Sequence, residues 1–313
     1  FNCIQLNPSI EFLNALTEIF EVSTQTDTIF EQCYTFLFNL FQTSVDMIVQ
    51  QRAVECISSL TKKSNEKVCS FYDQIFAIMS HIVLSSVGEN QPDDLNSILI
   101  APSISCLSHL CESCTRKIES FIPSFLEVIM ANINDLSSQF QCIDALSHIC
   151  EYFSQQARSI VPQILKTLFE VASNEVKFSE FNLNDADVDG YGEIDDEFEF
   201  QKEINSNAAA VRVICKIFSI YPDLLIQFFN EVYSILLKFK DSESGDGTVA
   251  CAIGVGYIAK ALVSLDGSDS QAEKIINDLL LPLKGSLVKS SDPITSGNAF
   301  TALSILIVKS PSF

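Results

Sequence analysis

Asp185, Asp187, Asp189, Gly190, Tyr191, Glu193 and Asp196 stand at positions 1, 3, 5, 6, 7, 9 and 12 of a twelve-residue calcium loop, in which carboxylates and one backbone carbonyl wrap the ion. Two features count against that chemistry. Position 8 is Gly192, where an apolar residue normally pairs with a partner loop, and position 12 is Asp, a shorter bidentate ligand than Glu. A frame starting at Asp187 sets Gly192 and Ile194 at positions 6 and 8 but puts Phe198 at position 12, where a carboxylate is required. The sequence offers no second loop to pair with it. The same residues read better as a solvated or partner-binding acidic segment, and no cofactor is expected.

Cys106, His109, Cys111 and Cys114 offer soft ligands of the kind zinc takes. All four fall within nine residues of one predicted helix, whose side chains spread around the axis and cannot converge on one tetrahedral ion. Packing is therefore the preferred role, and no zinc or disulfide is expected. His109 and His148 recur at one repeat position, which suits a shared structural placement better than catalysis. No Ser or Cys nucleophile with a supporting base is recognisable, so the chain reads as non-enzymatic. The Gly254 to Ile258 stretch (GVGYI) has phosphate-loop spacing but lies inside a predicted helix with no preceding strand, where small residues let helices approach. Asn39, Asn132, Asn134 and Asn230, on predicted helices, are candidates to hydrogen-bond an extended peptide backbone, with plain solvent exposure the equal alternative.

The elements that would position these residues are helices. The 313 residues contain 10 Gly, 9 Pro, no Trp and 24 Phe, too few turn formers for a β-sandwich. The longest unbroken apolar run, Val249 to Ala259, is short of the roughly 18 residues of a membrane span. Words also repeat: LSHLCE at Leu107 to Glu112 returns as LSHICE at Leu146 to Glu151. Around each lies a small-residue amphipathic helix, a break, and a second helix rich in Phe, Leu and Ile, as in FIPSFLEVIMANI (from Phe121) and IVPQILKTLFEVA (from Ile160). Pro123 and Pro162 sit near first turns, where a missing amide costs little.

First helices then centre on Ala15, Cys56, Cys106, Ala145, Val213, Gly254 and Ala302, with second helices from Ile29, Cys69, Phe121, Ile160, Leu225 and Ile275. A two-helix repeat near 40 residues predicts an all-α, right-handed superhelical solenoid of HEAT or armadillo type, with first helices outside and second helices inside. One spacing, Ala145 to Val213, is 68 residues; its excess is an acidic insertion with ten acids and one Lys between Glu180 and Glu203. The expected organisation is repeats over 1–172, an acidic interhelix insertion over 173–206 and repeats over 207–313. A chain that begins with Phe1 and ends in repeat material is expected to be an excerpt of a longer one.

Forty Asp and Glu against 19 Lys and Arg give −21, which repels a phosphate backbone and favours a basic protein partner. Eleven Cys without a framework point to a reducing compartment, cytosol or nucleus. Within the insertion, Asp187, Asp189, Glu193, Asp195, Asp196, Glu197 and Glu199 are the candidate contacts to such a partner, with Phe198 and Phe200 as apolar anchors.

The paired helices, the segment from Arg52 to Met79, the stretch APSISCLSHLCESCTRKIESFIPSFLEVIMANI and the acidic VDGYGEIDDEFEF together resemble the central repeats of importin-β family nuclear transport receptors, in particular the larger importins of the beta-3 and importin-4 types. The resemblance implies a receptor that binds basic cargo and releases it to Ran in its GTP state, shuttling between cytoplasm and nucleus. It departs from the family in having no Trp on its second helices. The family's main Ran-binding repeats are expected to lie outside this excerpt. The rival class is a constitutive HEAT-repeat scaffold or adaptor.

Overall fold

A computed structural model describes residues 9–22, 30–63, 65–87, 94–173, 193–240 and 245–280. Among them there is no strand, and the helices form two compact units, Phe1–Gln156 and Ala157–Phe313, each built of stacked helix pairs. This is an all-α solenoid of HEAT or armadillo type, without a sheet.

In the first unit, α1 (Ile10–Val22), α3 (Met47–Lys63), α5 (Asp94–Ser113) and α8 (Gln139–Tyr152) are first helices, and each packs on the next. Small polar residues let them approach and tie them across the repeat. Thr17 Oγ1 lies 3.0 Å from Cys56 Sγ, and Cys56 donates to the Leu13 carbonyl at 3.4 Å. Ser58 donates to Ser105 at 3.0 Å, and Thr61 Oγ1 sits 3.8 Å from Cys106 Sγ. These partners are 39 to 47 residues apart, so the sequence repeat is the packing repeat. LSHLCE and LSHICE occupy the last turns of the adjacent helices α5 and α8, which brings the His109 and His148 rings to 5.8 Å.

The second helices of this unit are α2 (Phe30–Thr43), α4 (Asn65–Ser85) and a composite of α6 (Thr115–Ile118), a 3₁₀ turn (Glu119–Phe121) and α7 (Ile122–Asn132). Each packs mainly on the first helix that follows it: α2 on α3, α4 on α5, α7 on α8. Their side chains meet through aromatic rings. Phe71 lies 5.6 Å from Phe30 and 4.5 Å from Tyr34, and Phe76 meets Phe121 edge-on at 5.0 Å. Such pairs add to the burial of rings that already carry much of the apolar area. Pro123 falls in the first turn of α7, as its missing amide requires, whereas Pro102 lies inside α5, where it deprives the helix of one backbone bond. Lys67–Ser85 is long and apolar enough for a short membrane span, yet Asp73, Gln74 and His81 are on its exposed side and its apolar face packs on α5.

The second unit holds α10 (Val161–Ser173), α11 (Glu193–Ile220), α12 (Pro222–Lys240), α13 (Gly245–Val263), α14 (Asp269–Ile275) and a π turn (Ile276–Leu280), with the short α9 (Ser154–Ala157) at its start. First helices α11 and α13 pack closely, and α10 and α12 each pack on the first helix that follows. Phe218, Leu225, Leu236 and Val255 are buried between them. The predicted first helix around Ala302 lies outside the described residues.

Helix α11 begins at Glu193, well before the predicted start near Asn207, so the carboxy-terminal half of the acidic run is helical. Two physical terms explain this. Acids in a first turn are favoured by the helix dipole. Extending an already packed helix also adds a hydrogen bond per residue without a new nucleus.

Candidate functional site

The sequence places its candidate contacts in one stretch, and the structure divides them. Asp185, Asp187, Asp189 and Tyr191 lie outside the described residues. Glu193, Asp195, Asp196, Glu197, Phe198, Glu199 and Phe200 lie on the first two turns of α11, one continuous helical segment joined to the buried stretch from Ser206 onward. Five carboxylates are thus carried at a helix start, and the first of them, Glu193, opens the helix more than three turns before Ser206.

Elsewhere, acidic residues stand on the exposed side of the second helices. In the first unit these are Glu31 on α2, Asp73 on α4 and Glu127 on α7. In the second unit Glu170 on α10 and Glu231 on α12 are exposed, while Asp223 is held by Arg158 at 2.6 Å. The candidate asparagines separate in the same way. Asn39, Asn134 and Asn230 are exposed, but the Asn132 amide donates to Ser86 Oγ at 3.1 Å and to the Val128 carbonyl at 2.8 Å. Asn132 joins α7 to the end of α4 and has a structural use.

The cysteine and histidine cluster is dispersed. Cys106 is fully buried beside Thr61, and burial pushes its thiol up to about 12. Cys111 is buried with its thiol raised likewise, and Cys114 faces Cys69 on α4. His109 is buried and its pKa is lowered to about 3, first by burial and then by the neighbouring His148. Ser108 Oγ lies 2.7 Å from His148 Nδ1, a pairing that resembles a nucleophile and base. Ser108 is fully buried, however, and His148 Nδ1 also lies 3.1 Å from the Ser108 carbonyl oxygen, so the contact ties α5 to α8. Among the described residues no group of three or more His, Cys, Asp or Glu is placed to hold a metal ion.

Three features escaped the sequence reading. The aromatic series along the second helices is one; only the abundance of Phe hinted at it. The Cys69 to Cys114 contact is another, signalled by a spacing of 45 residues close to the repeat. The third is a polar group in the second unit, where Tyr233 hydrogen-bonds Asp278 and Lys274 Nζ sits 3.8 Å from the Tyr233 ring centre. That hydrogen bond, followed by desolvation, raises the Tyr233 phenol to about 12.

These helix pairs define the class as a HEAT or armadillo-type repeat protein. No protein-family model matches the chain, and no curated protein matches it in sequence. Among solved structures it is similar to a computationally designed armadillo repeat protein made for modular peptide recognition, with a TM-score of 0.51 and 14% identity, over 86% of this chain and 99% of that one. It is also similar to the karyopherin Kap121p, solved bound to the extreme C-terminus of the protein phosphatase Cdc14p, with a TM-score of 0.52 and 13% identity over 95% of this chain. The chain spans 32% of the length of Kap121p. At these identities the likeness is one of fold.

Proposed function

We propose that this chain is a segment of an importin-like nuclear transport receptor that binds basic cargo proteins and releases them when Ran in its GTP state binds. The observation that carries the reading is the fold match to a karyopherin over 95% of the chain. A charge of −21 supports it, because a basic segment approaching this surface gains long-range attraction that a neutral scaffold would not supply. The helical start of α11, with Asp195, Asp196, Glu197 and Glu199, and the preceding Asp187 and Asp189 are the proposed contacts, and Phe198 and Phe200 the apolar anchors. Release works by differential binding: cargo and Ran-GTP favour different repeat curvatures, so each lowers the affinity for the other. A receptor of this kind shuttles between cytoplasm and nucleus.

The test is capture of proteins from cell extract by the full-length parent, with and without Ran loaded with GTP. A set of basic proteins released by Ran-GTP supports the reading. Equal retention in both arms favours a constitutive scaffold or adaptor, which the match to a designed peptide-recognition repeat protein also accommodates. Replacing Asp195, Asp196, Glu197 and Glu199 by their amides should weaken binding of a basic cargo at low salt, with the loss shrinking as salt screens the contact. Stoichiometric calcium uptake at micromolar concentration would instead favour the ion-loop reading of Asp185 to Asp196.

A further inference from the structure

We propose that Cys69 and Cys114 are a modification site, a thiol pair that a low-molecular-weight disulfide converts into a cross-link between the second and third helix pairs. Their Sγ atoms lie 2.8 Å apart, longer than the roughly 2.05 Å of a disulfide but already in contact. Cys69 is on α4, and Cys114 is at the break between α5 and α6, so the two belong to neighbouring pairs. Cys69 Sγ also donates to the Ser113 carbonyl at 3.1 Å, which fixes its rotamer toward Cys114.

Access singles this pair out. Among the ten described cysteines Cys69 alone is not buried, so a small reagent reaches it first. Cys114 is 4% exposed, and its thiol is raised to about 12, first by burial and then by the adjacent Cys69. Lys117 opposes this shift, and its ammonium is anchored on the Cys69 carbonyl at 3.0 Å. Cys69 is therefore the attacking thiol and Cys114 the resolving one.

The steps balance. The Cys69 thiolate attacks one sulfur of oxidised glutathione, forms a mixed disulfide and expels one glutathione thiolate. Cys114 gives its proton to water, and its thiolate attacks the Cys69 sulfur and expels the second. Two protein thiols are oxidised by two electrons, and one small disulfide becomes two thiols that take up the two protons. The product closes a 45-residue loop and restrains the α4 to α5 contact.

The experiment treats the folded full chain with oxidised glutathione and follows intact mass and melting. The expected product has lost two hydrogens, melts higher by about 5 °C or more, and reverts with dithiothreitol. A Glu-specific protease, cutting at Glu89 and Glu112, should release the Cys69 and Cys114 peptides joined. Cys69→Ser should form neither the cross-link nor an adduct at Cys114, and Cys114→Ser should stop at the glutathione adduct on Cys69. A parent chain that stops at the adduct, links other cysteines or does not react overturns the proposal. Alkylation of the untreated parent, which needs no variant, should modify Cys69 ahead of every buried cysteine; the reverse order also overturns it.

Discussion

Gly254 of α13 faces Cys215 of α11 so closely that a Cβ on the glycine would stand 2.9 Å from Cys215 Sγ and 3.2 Å from Leu236 Cδ2. The glycine is there to let two first helices touch. Gly254→Ala should therefore destabilise by about 1 to 2 kcal/mol, the overpacking cost outweighing the helix propensity that alanine restores. Cys215→Ala removes the obstructing sulfur, so the double variant should be more stable than the sum of the single losses predicts. Urea unfolding of the four proteins checks this. A single Gly254→Ala variant as stable as the parent would show that the contact yields freely.

His109 should make stability depend on pH. Its pKa falls from 6.5 unfolded to about 3 folded, so on acidification the unfolded chain binds the proton first. The contribution of neutral His109 is whole above about 6.5 and is lost progressively as pH falls from there toward about 3. Between pH 7 and 4.5 the parent should lose about 2 kcal/mol that His109→Leu does not lose. The His109 Nδ1 atom is buried without a hydrogen-bond partner, so the leucine variant should not be much less stable at pH 7. Parallel slopes for the two proteins would contradict the assignment.

Asn132 and Asn39 should behave in opposite ways. Truncating Asn132 to Ala removes two hydrogen bonds, one of them to Ser86 just past the end of the preceding second helix, and should cost about 1 to 2 kcal/mol of stability. Asn39→Ala changes an exposed position on α2 and should leave stability within about 0.5 kcal/mol. If second helices take an extended peptide, a basic peptide should bind Asn39→Ala more weakly at unchanged melting temperature. Calorimetric titration of the folded variants separates the two roles.

The repeat was legible because it is a property of composition and period. The first six predicted centres, from Ala15 to Gly254, all fall inside first helices, since each needs small residues on the face that meets its neighbour. His109 and His148 were recognised as equivalent from their shared word, and the ring contact at 5.8 Å follows from stacking at one register. The dispersal of Cys106, Cys111 and Cys114 was also foreseeable, because helix geometry alone keeps such side chains apart.

What the sequence could not supply was any relation set by packing between repeats. Nothing in the spacing distinguishes Asn132, whose amide is used by Ser86, from Asn39, which is exposed. Cys69 and Cys114 each read as a helix filler, and only stacking at an offset of 45 residues brings their sulfurs together. The start of α11 at Glu193 was missed for a related reason: the acids argued for an open loop, while a helix already anchored in the core from Ser206 onward extends over them with little added cost. Local pattern determined which segments are helices and how often they recur. The tertiary contacts decided which polar side chains are used inside the stack and which remain available to a partner.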